Sequence, residues 1–137
     1  MGLTHLDAGV IIGFLDGDDS HHETSRAALS NALEQGDQLF IAASALAESL
    51  VGPARRSAKA VELLRTAVHR LPVSVVVLDE EIATRAAILR ARHPTLKLPD
   101  ALVIATAAAS GADQLVTTDR KWPSAKTMKL GLVVEQI

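Results

Sequence analysis

The chain contains no cysteine, and this absence removes several kinds of chemistry. It excludes a disulfide framework, a thiolate nucleophile and a zinc or iron site with cysteine ligands. Any metal chemistry must therefore use carboxylates and histidines. The redox compartment is left open, because a chain without thiols is compatible with reducing and oxidising surroundings alike.

Aromatic side chains are scarce, at 2% of the residues against 48% for hydrophobic residues as a whole. The core must therefore be filled by Leu, Val, Ile and Ala, which is sufficient for a globular α/β protein. The 137 residues match the usual size of one domain, and no stretch has the composition of a linker. We expect a single domain over residues 1–137.

No signal peptide and no long apolar run are visible. The N-terminal segment MGLTHLDAGVIIGFLDGDD lacks a basic n-region and a small-residue cleavage site, and its apolar part is too short to span a bilayer. The sequence therefore predicts a cytoplasmic protein without a membrane partner.

Basic residues are nearly absent from the first 50 positions, where Arg26 stands against eight Asp or Glu. The other thirteen basic residues follow position 50, against eight acidic ones. The small net charge of -2 does not reveal this uneven distribution. A basic flank beside an acidic pocket is permitted, and with it a nucleic-acid partner.

Short apolar runs alternate with helical patterns along the chain. Strands are predicted over residues 3–6, 38–42, 73–78, 114–117 and 132–135. Helices are predicted over about 10–15, 21–35, 44–51, 54–71, 80–93 and 98–110. The run of valines in the third strand is typical of a strand covered on both faces. The alternation predicts right-handed crossovers and a largely parallel sheet with helices on both sides.

Helix boundaries follow from capping and breaking residues. Ser20, Ser44 and Asp79 are the predicted N-caps of three helices. Gly36 follows one predicted helix end, and the pair Gly52-Pro53 is expected to end another.

Two aspartates directly follow predicted strands. Asp7 comes after the first strand and Asp119 after the fourth. Ligands of open α/β sheets bind outside the carboxyl ends of the strands, so both carboxylates are candidates for a site. Each could instead be a helix cap or an Asx-turn.

Two further acids lie on apolar helical faces. Glu48 has mostly small or apolar neighbours three and four positions away. Asp100 shares its side of a helix with Val103, Ile104 and Ala107, which indicates partial burial. The alternative for Asp100 is favourable placement in a first helical turn exposed to solvent.

Carboxylates brought together repel one another, which raises their pKa values and costs stability unless a cation neutralises them. Oxygen-only ligands suit Mg²⁺ or Mn²⁺, which bind through few carboxylates, water and substrate phosphate oxygens. Such a site favours phosphoryl chemistry.

Several basic residues are candidates for binding a phosphate backbone. Arg120 and Lys121 follow the fourth acid directly. Arg55, Arg56 and Lys59 begin a helix, and for this cluster solvated surface charge is an equal alternative.

The remaining polar and aromatic candidates have simpler interpretations. His21 and His22 are adjacent in a helix start and are expected to have ordinary surface roles. His5 lies in a strand and is expected in the core. Trp122 could stack on an unpaired base, but packing under the last strand is favoured.

The segments that carry the four acids resemble the motifs of PIN-domain nucleases, and among them the VapC-type toxins of bacterial toxin-antitoxin pairs. These segments are LDAGVIIGFLD with Asp7, SALAESL with Glu48, LPDALVIATA with Asp100 and LVTTDRKW with Asp119. The resemblance implies a three-layer α/β/α sandwich whose five-stranded parallel sheet brings the four acids together at its carboxyl edge.

The resemblance also implies an activity and partners. The activity is endonucleolytic cleavage of RNA, and the partners are a small VapB-like antitoxin and a second copy of the chain. Asp7, Glu48 and Asp100 would hold one Mg²⁺ or Mn²⁺, and Asp119 would complete the site or recruit a second ion. Thr117 is implied as a hydroxyl partner of the site. The ion would activate a water for in-line attack on the phosphodiester.

Two positions depart from the family pattern. Ala8 stands where the family often has Ser, Thr or Asn after the first acid, and Trp122 stands where it often has Phe. Neither change removes a carboxylate.

Two rival functions are compatible with such a chain. One is a PIN-like module that binds RNA or an antitoxin without cleaving, which retention of all four acids disfavours. The other is a phosphoryl-transfer receiver or phosphatase, but Asp7 is followed by Ala8-Gly9 rather than by the second acid that those proteins use.

Overall fold

The protein is described over residues 2–137 by a computed structural model. The strands are β1 (Leu3–Leu6), β2 (Gln38–Ala42), β3 (Val73–Val76), β4 (Gln114–Thr117) and β5 (Val133–Gln136). The helices are α1 (Ala8–Leu15), α2 (His22–Glu34), α3 (Ala43–Arg56), α4 (Ala58–Arg70), α5 (Glu80–Arg92) and α6 (Leu98–Ala109). None of these helices is long and apolar enough to cross a membrane.

All five strands are parallel, in the order β3-β2-β1-β4-β5. From the central β1 the chain proceeds to β2 and β3 on one side, and later to β4 and β5 on the other. This reversal between β1 and β4 opens a crevice at the carboxyl ends of the strands, where α/β folds bind ligands. The predicted α/β fold with a five-stranded parallel sheet is confirmed.

The core is largely aliphatic, as the scarcity of aromatics predicts, and His5 of β1 is one of the few polar side chains buried in it. His5 is 1% exposed and its ring stacks on Phe40, with 5.3 Å between the ring centroids. Neither ring nitrogen has a hydrogen-bond partner among residues 2–137. Burial lowers the pKa of His5 to about 4, so the imidazole is neutral at pH 7. The expectation that His5 packs in the core is confirmed.

The prediction that Gly52-Pro53 ends a helix is wrong. Pro53 lies inside α3, which continues to Arg56. Proline removes only one backbone hydrogen bond, and here the next turn is still closed by the bond from Ser57 N to Pro53 O. The helix ends instead where Ser57 becomes extended, with φ -172° and ψ 162°, and its hydroxyl caps α4 by accepting from Ala60 N at 3.0 Å.

Two of the three predicted N-caps are also wrong. The N-caps of α2 and α3 are His21 and Ala42, and neither makes a capping hydrogen bond with its side chain. Ser44 lies within the first turn of α3, and its hydroxyl is buried without a partner among residues 2–137. Asp79 is confirmed as a cap, accepting from Ile82 N at 2.8 Å.

The valine-rich strand β3 lies at the edge of the sheet, and its Ser74 is exposed, so the prediction that both faces are covered is wrong. It ends at Val76, and the following Val77 is 75% exposed. β3 pairs only with β2 among the described strands, so its outer side has no neighbouring strand. A continuous apolar run does not distinguish an edge position from a central one, which explains the error.

Candidate active site

Asp7 is placed by the end of the central strand and the start of the first helix. It is the N-cap of α1, and its Oδ1 accepts from Ala8 N at 2.8 Å. Its Oδ2 accepts from the Thr117 hydroxyl at 2.8 Å. The residue is 6% exposed. Asp7 is therefore a helix cap, one of the two roles that the sequence allowed, and it remains a candidate metal ligand.

Thr117 connects the first and fourth acids. Its hydroxyl donates to Asp7 and accepts from the backbone N of Asp119 at 3.0 Å. Asp119 Oδ1 in turn accepts from Lys121 N at 2.7 Å, which is the Asx-turn that the sequence offered as an alternative. The Thr117 hydroxyl thus connects Asp7, at the end of β1, with Asp119, which follows β4.

Two helices bring the other two acids to the same crevice. Glu48 lies in the second turn of α3, which follows β2, and Asp100 lies in the first turn of α6. Pro99 beside Asp100 fits the helix start, because that position needs no backbone N–H. Glu48 is exposed and Asp100 is half-buried, so the predicted partial burial of Asp100 is confirmed.

The charges of the four acids act on one another. The pKa of Asp7 is raised mainly by burial, with smaller increases from Glu48 and Asp119, while its two hydrogen bonds act in the opposite direction. Burial and the charge of Asp100 raise the pKa of Glu48. Burial and the charges of Asp7 and Asp119 raise the pKa of Asp100. The structure therefore brings all four predicted acids within electrostatic reach of one another.

Three of the acids line an open cleft of about 690 Å³, whose wall also carries cations. Lys97, Arg120 and Lys121 lie in this wall beside Asp119 and Asp100. Cations surrounding a cluster of acids suit a substrate whose phosphates approach the acids through a bound metal ion. The cations predicted to follow the fourth acid are therefore at the cleft.

Two cleft residues were given other roles in the sequence analysis. His21 is half-exposed at the start of α2, as expected, but it also lines the cleft, with Nδ1 3.7 Å from Asp19 Oδ1. Trp122 lines the cleft too and is 7% exposed. A ring buried to this extent cannot present a face to a base, so the stacking alternative is wrong. Neither position could be placed at the cleft from local sequence, because both are brought there by loops.

The donor set is compatible with a hard divalent cation. Within residues 2–137, no three acidic or histidine side chains converge closely enough to ligate one ion directly. Mg²⁺ and Mn²⁺ commonly bind through one or two carboxylates and complete their coordination with water. Burial and, to a smaller extent, mutual repulsion raise the pKa values of three acids, and a bound cation would offset both effects by favouring the ionised carboxylates. The residues present therefore fit the ion.

A second pocket, of about 220 Å³, lies between α5 and α6. Its lining is largely apolar, with Arg85, Arg92 and His93 at its margin and no carboxylate. It lacks the ligands for a hard cation, so the candidate active site is the acidic cleft.

The sequence profile of the PIN domain matches residues 5–127, which is most of the chain. Comparison with curated proteins gives no match.

Solved structures with the same fold cover nearly the whole chain. A toxin-antitoxin complex from Klebsiella pneumoniae has 24% identity and a TM-score of 0.69, with 86% of this chain and 88% of that chain covered. VapBC2 from Rickettsia felis, bound to a DNA fragment from its promoter, has 15% identity and a TM-score of 0.72, with 98% of each chain covered. Mycobacterium tuberculosis VapC20, a Sarcin-Ricin loop cleaving toxin, has 14% identity and a TM-score of 0.67, with 95% and 96% covered.

Proposed function

Because the chain belongs to the PIN-domain family, we propose that it is a divalent-metal-dependent endoribonuclease and the toxin of a toxin-antitoxin pair. The observation that carries this proposal is the group of four acids at the crevice between β1 and β4, three of them with raised pKa values, beside a rim of cations. The similar structures support the same function, since they include a VapBC complex and a Sarcin-Ricin loop cleaving toxin.

Asp7, Glu48, Asp100 and Asp119 are the proposed holders of Mg²⁺ or Mn²⁺. When bound by these carboxylates, such an ion would lower the pKa of a water for attack on the phosphodiester and would neutralise charge on the phosphate oxygens. Asp7 is kept in one orientation by its hydrogen bonds from Thr117 and Ala8, so little reorganisation is needed when the ion binds.

The cations of the cleft have a separate role in the proposal. Arg120 and Lys121 are exposed beside Asp119, and Lys97 lies one turn before Asp100. They are placed to bind phosphates on either side of the scissile bond and to keep the RNA backbone in register with the acids. Loss of these charges would weaken RNA binding more than it weakens the chemical step.

RNA-end mapping in cells tests the proposal. Induction of the wild type should generate new RNA ends within minutes, and induction of Asp100→Ala at equal protein level should not. Asp18→Asn, a change in an exposed loop acid outside the cleft, is the matched control and should generate the wild-type ends. The same ends with Asp100→Ala would contradict a nuclease at this site.

A PIN-like module that binds RNA or an antitoxin without cleaving it is the alternative. Purified wild type with Mn²⁺ separates the two, because a nuclease degrades RNA with Mn²⁺ and stops with EDTA. A binding module retains RNA under both conditions and leaves it intact.

A protein partner is supported by the surface as well as by the complexes among the similar structures. Leu15, Pro53, Leu63 and Leu64 line adjoining apolar grooves between α1, α3 and α4, with Arg56 at the margin. An amphipathic antitoxin segment with an acidic residue suits this surface. A candidate antitoxin should stop RNA cleavage by the wild type and not by Leu63→Asp. A homodimer is a further proposal, tested by light scattering of the purified chain.

A further inference from the structure

Trp122 is the only tryptophan of the chain, which also lacks tyrosine. It lies three residues after Asp119, in the loop between β4 and β5, and forms part of the cleft wall beside Asp100. At 7% exposure its ring is packed in the core, so its position is fixed by the fold.

The indole N–H of Trp122 is unusual because it is buried and unpaired. Nε1 has no hydrogen-bond partner within ordinary distance among residues 2–137. Buried indole N–H groups normally find an acceptor, and one without a partner costs free energy. Trp122 and Asp100 line the same cleft, and the indole lowers the pKa of the Asp100 carboxyl as a hydrogen-bond donor does, against the larger effects of burial and the neighbouring acids.

We propose that Trp122 is a positioning residue, whose indole N–H donates a hydrogen bond to the Asp100 carboxylate when a divalent cation is bound and so orients that carboxylate toward the cation. The inference rests on the proposed function, since it assumes the metal site. A hydrogen bond to a ligating carboxylate restricts its rotation, and removal of such a partner typically costs about 10- to 100-fold in metal affinity.

The proposed role requires an N–H donor at position 122, which tryptophan supplies. Phenylalanine, the residue that the resembled family often has here, fills similar space but has no N–H. Trp122→Phe therefore removes the proposed donor, but it also reduces the ring volume. A bicyclic side chain without an N–H is needed to separate positioning from a merely structural role, which would depend on ring volume alone.

Calorimetric titration with Mn²⁺ tests the proposal without any cleavage assay. The wild type should bind Mn²⁺, and Trp122→Phe should bind it about 10-fold more weakly while keeping a cooperative thermal transition. A second variant carries 3-benzothienylalanine at position 122, which keeps the bicyclic shape and replaces the N–H by sulfur. This variant should show the same loss of Mn²⁺ affinity while keeping the thermal stability of the wild type. Wild-type affinity in the benzothienyl variant would overturn the proposal.

Fluorescence gives an independent readout, because all indole emission comes from Trp122. Mg²⁺, which is not a paramagnetic quencher, should change this emission in the wild type and leave it unchanged in Asp100→Asn. If the wild type binds no divalent ion, the metal site and the proposal both fail. If the wild type binds Mn²⁺ and the benzothienyl variant binds it equally well, only the role of Trp122 is overturned.

Discussion

Three of the four acids are held in the folded protein at an energetic cost. For Asp7, Glu48 and Asp100, burial and neighbouring charges favour the protonated form over the ionised one. Their pKa values are higher in the folded protein than in the unfolded chain, so the folded state binds more protons between those values. The free energy of unfolding therefore falls as pH rises through this window, and the cost is fully present above the folded-state pKa values.

Removal of one charge should then stabilise the protein. We predict that Asp100→Asn raises the free energy of unfolding at pH 7 by about 1 kcal/mol, because functional charges are commonly held at the expense of stability. Urea denaturation without divalent ions measures the change. Asp18→Asn, in an exposed loop, should leave the stability unchanged. A less stable Asp100→Asn would show that the acids do not repel one another.

His5 should give a pH dependence of the opposite sign. Its pKa is about 4 in the folded protein and near 6.5 when exposed, so the unfolded chain takes up a proton first as pH falls. Stability from the neutral ring is complete above pH 6.5 and is lost as pH falls toward 4, by about 3 kcal/mol. His5→Leu should be less pH-dependent than the wild type over this range.

Urea denaturation at a series of pH values measures the difference in slope. Comparison with the wild type is needed because the acids change stability in the other direction. The exposed His69→Gln is the matched control and should retain the wild-type slope. If His5→Leu and the wild type have parallel profiles, the imidazole is not buried as a neutral group.

The acids could be predicted from sequence because their signals are local. Asp7 and Asp119 follow strands, whereas Glu48 and Asp100 have mostly small or apolar neighbours three and four positions along the sequence. His21 and Trp122 carry no such signal, since each reaches the cleft through a loop whose path depends on the packed fold. The burial of the Trp122 indole and the lack of a partner for its N–H within residues 2–137 depend on tertiary neighbours, which the sequence alone does not reveal.

At the scale of elements, the close approach of α1 to the end of β4 fixes the geometry of the crevice. Gly9 lies in the first turn of α1, and a Cβ there would overlap the hydroxyl of Thr118 and lie 3.3 Å from its Cβ. Because Gly9 has only hydrogen on this side, the helix start can approach the strand end and bring Asp7 within hydrogen-bond distance of Thr117.

A methyl group at this position should therefore separate the two elements. We predict that Gly9→Ala lowers the free energy of unfolding by about 1–3 kcal/mol, the usual range for an overpacked interior site. Adding Thr118→Ala should restore part of the loss, because the overlapping hydroxyl is removed. Thermal and urea denaturation of the two single variants and the double variant measure the coupling.

Gly52→Ala is the control for the effect of glycine itself. Gly52 lies in α3 with no heavy atom within 4 Å of an added Cβ, so alanine should stabilise the helix by up to about 1 kcal/mol. If Gly9→Ala also stabilises the protein, then the approach of α1 to β4 is not tight.

Element boundaries were predicted well where a side chain acts locally and less well where tertiary packing decides. Asp79 caps α5 as its sequence indicates. Pro53 does not end α3, because proline removes only one backbone hydrogen bond and the next turn is closed by the bond from Ser57 N to Pro53 O. The position of β3 at the sheet edge depends on strand order, which no local pattern encodes.

At the scale of the whole molecule, the uneven distribution of charge along the sequence corresponds to a cleft that carries both acids and cations. Acids from both halves of the chain meet cations from the second half at one cleft. RNA binding should then depend on salt, since each neutralised phosphate releases counterions. The sequence predicts this from charge, but only the fold shows which cations take part.

We predict that Arg120→Gln combined with Lys121→Gln weakens RNA binding and reduces the dependence of log affinity on log salt by about 0.7 for each phosphate that is no longer neutralised. Fluorescence anisotropy of a labelled single-stranded RNA in EDTA measures binding without cleavage. Arg55→Gln combined with Lys59→Gln removes two cations that do not line the cleft, and should have a smaller effect. Equal effects from both pairs would place RNA elsewhere on the surface.

The central claim is that four acids hold a divalent ion which is required for RNA cleavage. The most direct test is the cleavage rate of purified protein with Mn²⁺ for the wild type, Asp7→Asn, Glu48→Gln, Asp100→Asn, Asp119→Asn and the control Asp18→Asn. Each cleft variant should lose about a hundredfold or more while remaining folded, and EDTA should stop the wild type and the control. Wild-type rates in the cleft variants, or cleavage that persists in EDTA, would contradict the account.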